Sequence, residues 1–321
     1  MTPLSEDQKN WLLDSDAAIR WQVKRNLLGA SPDEVAADRT RITKQGWGAQ
    51  LLAVRDPDGQ WAGGACFPGD FRGSSYKGQP WISTFPVLAL LMEFGVDPAD
   101  PAITETIALV RENCKWEHAG QRFFDGEVEP CINGRTVSIG AYFGVKVDGI
   151  VELLLGEQLE DGGWNCEAEN GSIRSSFNTT ICVLEGLLEY ERHEGTVPLD
   201  RVQAARRRAE EYLLDRSLFR RASNKEIINE DFLKLSYPWW WHYDILRALD
   251  YFRASGRCPD PRMAEAIEML RAKQLADGLW PLENIYQGKT YFTMEEGIDK
   301  PSRWNTLRAL RVLRWYDQAH E

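Results

Sequence analysis

A four-residue turn recurs three times in this chain, Asp58-Gly59-Gln60-Trp61, Asp161-Gly162-Gly163-Trp164 and Asp277-Gly278-Leu279-Trp280, each copy lying between helical stretches. Copies two and three extend backwards in the same way, with Leu154 and Gln158 before Asp161 and Leu270 and Gln274 before Asp277. Arg55 stands where the first copy would carry its glutamine. Recurrence at matched spacing marks a repeat architecture, in which each unit buries its apolar face against its neighbours. The chemistry of the turn predicts a staple: the glycine permits a positive φ, the aspartate caps backbone N–H groups, and the indole covers the turn. Asp161 and Asp277 are accordingly expected to be structural.

Between the turns the apolar residues follow a helical period, and alternating strand-like runs are nearly absent, so the chain reads as all-α. Helices are predicted at 5–13, 16–29, 33–54, 82–95, 102–116, 132–144, 147–159, 177–191, 199–215, 240–254, 261–275 and 303–318. One helix type aligns without gaps from an aromatic residue: Trp81-Ile82-Ser83-Thr84, Phe177-Asn178-Thr179-Thr180, Tyr243-Asp244-Ile245-Leu246 and Trp304-Asn305-Thr306-Leu307. These segments are apolar on nearly all sides and predict inner helices, whereas 200–214 and 261–273 carry charge on one face and predict outer ones. With helices near Ile19–Leu28 and Asn133 there are about six inner helices alternating with about five outer ones, the N-terminal helix supplying a sixth. Short connections and strict alternation close such an array into a ring. The expectation is an (α/α)6 toroid of alternating inner and outer helices, a single domain over residues 1–321.

Charge and cysteine usage narrow the setting. Lys and Arg number 38 against 49 Asp and Glu, a net −11, which argues against a nucleic-acid partner. Cys66, Cys114, Cys131, Cys166, Cys182 and Cys258 are scattered without a C-x-x-C pair, so neither metal nor other cofactor is expected. The opening Met-Thr-Pro-Leu-Ser-Glu carries no basic region or apolar core of a secretory signal, which points to a cytoplasmic setting. No apolar run approaches the roughly 20 residues that span a bilayer, so any membrane contact is expected to be peripheral.

The turns at 154–164 and 270–280 resemble the QW motif of squalene–hopene and oxidosqualene cyclases, and the hairpin alternation resembles the wider terpenoid cyclase and protein prenyltransferase toroid superfamily. That resemblance implies the toroid fold and an isoprenoid or similar apolar ligand in a central aromatic cavity. The chain departs from the superfamily where the chemistry is carried. No two aspartates are adjacent, so both the D-x-D-D acid of the class II cyclases and the D-D-x-x-D metal motif of class I synthases are missing. Glu129-Pro130-Cys131 with His242 is the nearest counterpart to the zinc ligands of protein prenyltransferases. Turnover is thus open; an enzyme of this kind would be a non-classical terpenoid cyclase or isoprenoid transferase.

The loops before inner helices, which would ring the mouth of the cavity, carry Arg72, Lys77, Arg135, Arg174, Lys234, Lys300 and Arg303. Cations there oppose the helix dipole, and with the unpaired N–H groups of helix starts they would suit a phosphate, diphosphate or carboxylate. The alternative is pairing with the acids of the same loops, Glu129, Glu230, Asp231, Glu296 and Asp299. The run Pro238-Trp239-Trp240-Trp241-His242-Tyr243-Asp244 sets an aromatic wall beside an imidazole and a carboxylate. Candidate catalytic residues are Asp244, His242 and Glu129, with His242 and Asp244 too differently directed on a helix to form one dyad. Candidate ligand-binding residues are Trp81, Arg135, Arg174, Phe177, Asn178, Trp240, Tyr243, Arg303 and Trp304. Two other functions fit the same ring: a carbohydrate-active glycosidase or lyase working with paired carboxylates, and a non-catalytic scaffold.

Overall fold

The computed structural model describes residues 4–71, 76–193 and 195–319. Thirteen α-helices lie among them and no strand. In order they are α1 (Glu6–Leu13), α2 (Ala17–Val23), α3 (Pro32–Arg39), α4 (Gly46–Ala53), α5 (Thr84–Phe94), α6 (Pro101–Asn113), α7 (Pro130–Tyr142), α8 (Asp148–Gly156), α9 (Phe177–Arg192), α10 (Leu199–Leu214), α11 (Ile245–Ala254), α12 (Ala264–Ala272) and α13 (Arg303–Gln318). A π-helical turn, Lys24–Leu28, prolongs α2. The all-α class follows directly. Among the described residues no helix is long and apolar enough to cross a membrane.

The chain divides into two compact units, one of residues 1–41, 213–286 and 293–321, the other of 42–212 and 287–292. In the first, α13 packs on α11 and α2, α11 on α12, and α2 on α1 and α3. In the second, α7 packs on α5, α8 and α9. Its approach to α9 is close because Gly134 and Gly186 face the partner backbone. A Cβ on Gly186 would stand 2.2 Å from the Gly134 carbonyl oxygen.

Burial alternates along the chain. All of α2 except Arg20 is buried, as are eight consecutive residues of α11 from Ile245 to Phe252 and nearly all of α7. By contrast α6 buries the stripe Ile103, Thr106, Ile107 and Val110, α8 buries Ile150, Val151 and Leu154, and α12 buries Ala266, Ile267 and Leu270. Spacings of three and four residues place each stripe on one helix face.

The recurrent turn is built the same way in all three copies. Trp61, Trp164 and Trp280 are buried, and each indole Nε1 donates to the carbonyl ten residues back, Leu51, Leu154 or Leu270, at 2.7 Å. Each tryptophan backbone N–H donates to a threonine of a following helix, Thr84 at 3.2 Å, Thr180 at 3.1 Å and Thr306 at 2.9 Å. The glycine after each aspartate takes φ of 91°, 103° and 79°. Gln158 Nε2 donates to the Gly162 carbonyl at 2.6 Å and to Ala205 of α10 at 2.8 Å, and Gln274 donates to Gly278 at 3.0 Å. In the first copy Arg55 instead reaches α6, with Nη1 2.5 Å from Thr106 Oγ1 and Nη2 3.1 Å from Glu105. The staple reading of the turn is therefore its geometry.

Three details differ from the sequence expectation. The ungapped alignment holds between the copies at Trp81 and Phe177, where Thr84 and Thr180 play one role, but not for the last: Thr306 plays that role and the caps Ser176 and Ser302 match, so Phe177 corresponds to Arg303 and not to Trp304. The hydrogen bond from the turn sets the register, and the aromatic residue follows whatever space is left. The single helix expected at 33–54 is two, α3 ending at Arg39 beside the buried carboxylate of Asp38, which pairs with Arg20, Lys24 and Arg41. The helix expected from 240 begins at Ile245, because Trp240 has φ of 50° and Asp244 is the cap.

A Cβ at Gly162 would meet the Arg208 carbonyl oxygen at 2.6 Å, whereas at Gly171, with a similar φ of 91°, it would meet nothing within 4 Å. Gly171→Ala is expected to cost about 1 kcal/mol from backbone strain alone. Gly162→Ala is expected to cost roughly 1–3 kcal/mol more, from the clash. Urea midpoints of the two variants measure the difference, and equal losses would show that the turn yields freely.

Candidate functional site

The richest convergence of polar and aromatic side chains in the first unit lies where α11 and α13 begin. Asp244 caps α11: its Oδ1 accepts from the Arg247 backbone N–H at 2.7 Å and its Oδ2 from that of Ser236 at 3.2 Å. The carboxyl is wholly buried, and burial pushes its pKa up against the pull of Arg308 and Arg247. Trp304, at the start of α13, stacks on Tyr237 at 4.5 Å, and Tyr237 meets Trp239 edge-on at 5.3 Å. Two arginines flank Trp239, Arg308 with its guanidinium carbon 4.1 Å from the ring centre and Arg247 at 5.7 Å. Both are 1% exposed.

One turn deeper, Asp250 of α11 gathers three arginines. Arg253 Nε and Arg311 Nε each approach its Oδ1 at 2.8 Å, and Arg308 Nε lies 3.6 Å from Oδ2. Burial opposes ionisation there, but the charges of Arg311, Arg253 and Arg308 hold the carboxyl well below the usual carboxylate range. Arg311 also donates to Gln22 of α2 at 3.1 Å. The cluster still has unmatched polar atoms: Arg308 Nη1, Trp239 Nε1 and Asn305 Oδ1 are buried without a hydrogen-bond partner. Buried polar atoms are normally satisfied by protein or ordered water, so these atoms call for a partner.

His242 lies between Trp241 at 3.7 Å and Tyr286 at 3.4 Å, a three-ring stack. Its Nδ1 faces the Trp239 carbonyl at 3.2 Å and so carries the proton, leaving Nε2 as the acceptor. Burial, with help from Arg247, lowers its pKa to about 4, so the ring is neutral at neutral pH and serves as a base or acceptor but not as an acid. His242 and Asp244 take different partners, although the helix on which their spacing would separate them begins only at Ile245.

The remaining expected residues divide between the units. Trp240 is half-buried with φ of 50°, and Tyr243 is buried on Phe232 with its hydroxyl 2.5 Å from the Leu218 carbonyl. Arg303 lies over the ring of Trp11 at 4.5 Å, its Nη1 3.6 Å from Glu296. In the second unit Trp81 is buried and donates to the Gln287 carbonyl at 3.2 Å, and Phe177 packs on Tyr212 at 5.5 Å. Arg135 falls within α7, buried between Glu93 and Glu185. Arg174 is exposed, and Asn178 is half-buried in the first turn of α9. Arg72 lies outside the described residues. Glu129, the cap residue of α7, stands with its Oε2 3.5 Å from Cys131 Sγ, which is 3.1 Å from Cys166 Sγ. These three offer ligand atoms within 4.8 Å of one another. The Cys131 hydrogen bond lowers the Cys166 thiol, against the effect of burial.

The second unit also contains a cavity of about 610 Å³ lined by Arg111, Arg122, Lys146, Asp125, Phe124 and Phe143. Arg111 is in the last turn of α6 and Lys146 follows α7, where cations favour the helix dipole without any ligand.

Sequence reasoning missed Arg247, Asp250, Asn305, Arg308 and Glu295. The first four had a signal: each is a polar residue among the apolar positions of α11 or α13, and Arg247/Asp250 and Asn305/Arg308 are three apart, on one face. Glu295 had none. It accepts from Ser302 Oγ at 2.6 Å, and burial pushes its carboxyl up to about 7 against the hydrogen bonds and the Arg303 charge.

That shift has a pH consequence. The folded state holds more protons than the unfolded state between about pH 4.3 and the folded pKa, so stability is full at low pH and lost as pH rises through this window. Glu295→Gln removes the loss. The variant is expected to melt above wild type at about pH 8 and level with it at about pH 4. A melting difference independent of pH would show that Glu295 ionises normally.

No protein-family model and no curated protein matches this chain.

Proposed function

We propose that this chain is an (α/α)6 toroid, one domain over 1–321, that binds an apolar ligand with an anionic head, of isoprenoid diphosphate type, through the aromatic and arginine-lined starts of α11 and α13. The alternation of buried and half-exposed helices and the three equivalent staple turns support the ring. The observation that carries the ligand is the set of buried unmatched atoms, Arg308 Nη1 and Trp239 Nε1 as donors, with Asn305 Oδ1 three residues before Arg308 on α13. Two nearly unexposed arginines suit an anion, and Trp304, Tyr237 and Trp239 suit an apolar chain. The head thus falls to Arg308 and Arg247, since Arg135 is already held by two glutamates. Asp244 and His242 stand beside it as acid–base groups if the ligand is turned over. A cytoplasmic setting and no nucleic-acid partner belong to the same reading.

Titration with farnesyl diphosphate, farnesol and inorganic diphosphate, followed by thermal unfolding, tests it. Farnesyl diphosphate should stabilise most, and Arg308→Gln should weaken it at least tenfold, nearly independently of salt, because a buried contact is poorly screened. Arg174→Ala and Arg303→Ala would instead give losses that shrink with salt if the head were held at exposed positions. Stabilisation by an oligosaccharide and by no isoprenoid would sink the proposal in favour of the carbohydrate-active alternative.

A further inference from the structure

Cys131 and Cys166 are 35 residues apart in sequence, one in the first turn of α7 and the other opening the 3-10 turn Cys166–Ala168 that follows the second staple. The fold brings their sulfurs to 3.1 Å, inside ordinary contact, and both residues are half-buried. Thr179 Oγ1 lies 3.5 Å from Cys166 Sγ and the Glu129 carboxylate 3.5 Å from Cys131 Sγ. Thr179 can therefore donate to a Cys166 thiolate, and Cys131 directs its proton to the Glu129 carboxylate. The other cysteines lack this setting: Cys66, Cys114 and Cys182 are buried, and Cys258 is exposed.

We propose that Cys166 and Cys131 form a thiol modification site, a dithiol that a hydroperoxide converts to a disulfide, with Cys166 as the attacking and Cys131 as the resolving sulfur. The Cys166 thiolate attacks one peroxide oxygen and the O–O bond breaks. Cys166 becomes a sulfenic acid, and the leaving oxygen takes a proton to depart as water or an alcohol. Cys131 then attacks the sulfenic sulfur as Glu129 takes its proton. The S–O bond breaks, and the departing hydroxide recovers that proton as water. Two thiols and one peroxide thus give one disulfide, one water and one water or alcohol, the two sulfurs supplying both electrons.

The full-length protein is treated with a stoichiometric dose of hydrogen peroxide and followed by intact mass and peptide mapping. The expected product has lost two hydrogens and carries a Cys131–Cys166 bridge, formed before Cys258 is modified. Cys131→Ser should stop at a Cys166 sulfenic acid that dimedone traps, and Cys166→Ser should leave Cys131 reduced at the same dose. Thiol labelling under denaturing conditions reads the result even where a variant folds poorly. Independent oxidation of both thiols without a bridge, or prior reaction of Cys258, would overturn the assignment. So would elemental analysis giving one zinc per chain whose removal is needed before peroxide acts, since Glu129, Cys131 and Cys166 would then be metal ligands.

Discussion

Trp280→Ala is expected to destabilise the protein by roughly 3–5 kcal/mol, and Trp164→Ala by a similar amount, the range for emptying a large buried aromatic site. Both rings are essentially unexposed. The loss is apolar burial first, but each truncation also leaves a carbonyl, Leu270 or Leu154, without its indole donor. Trp280→Phe separates the two contributions. It keeps most of the apolar volume and discards the N–H, for a cost of about 1–3 kcal/mol from the unsatisfied carbonyl. Thr306→Val removes the acceptor of the Trp280 backbone N–H and should fall in the same range. Urea unfolding of the three variants reads the order Ala, then Phe and Val. Ligand affinity of the folded fraction should change little, since the turns brace helices and the indoles of Trp164 and Trp280 bond only the carbonyls of Leu154 and Leu270. Loss of binding with an unchanged midpoint would show that the turn is a site.

Why the turns were legible and the cluster was not comes down to range. Gly162 at φ 103° and Trp164 bonded ten residues back are local facts, written in adjacent residue types that physics restricts tightly. Helix ends followed likewise from local signals, as at α9, expected at 177–191 and found at Phe177–Arg192. The aromatic run 238–244 announced a helix start, yet its helix begins only at the Asp244 cap. Asp250, Arg308 and Gln22 meet through the packing of α2, α11 and α13, and no spacing in the chain records that encounter. The same holds for Cys131 and Cys166, which looked scattered. The sequence places Arg135 in a loop, holding an anion or paired with the acids of such loops; it is in the second turn of α7, and two glutamates from α5 and α9 surround it. Burial and tertiary pairing decided each of these, and neither has a one-dimensional signature beyond a charge in an apolar helix.

Asp250→Asn should affect the first unit about as strongly as Trp280→Ala, and its sign should differ between stability and binding. The substitution leaves Arg308 and Arg311, 1% and 14% exposed at their side chains, without their countercharge. Removing one partner of a buried ion network costs about 3–5 kcal/mol because the remaining charge is uncompensated. Asp250 has a lowered folded pKa, so its contribution is present above the unfolded value of about 3.9 and is lost as pH falls through the folded one. The deficit of the variant should therefore be full near neutral pH and narrow only in strong acid. The same change makes the cluster more cationic, so an anion bound at Arg308 becomes the replacement countercharge. Farnesyl diphosphate at about 100 times its Kd restores about 2.7 kcal/mol by mass action, and the gain in melting temperature at a fixed concentration should exceed that of wild type. A variant that is destabilised as expected but rescued by no anion would keep the electrostatic account of the fold and remove the anionic head from the proposed ligand.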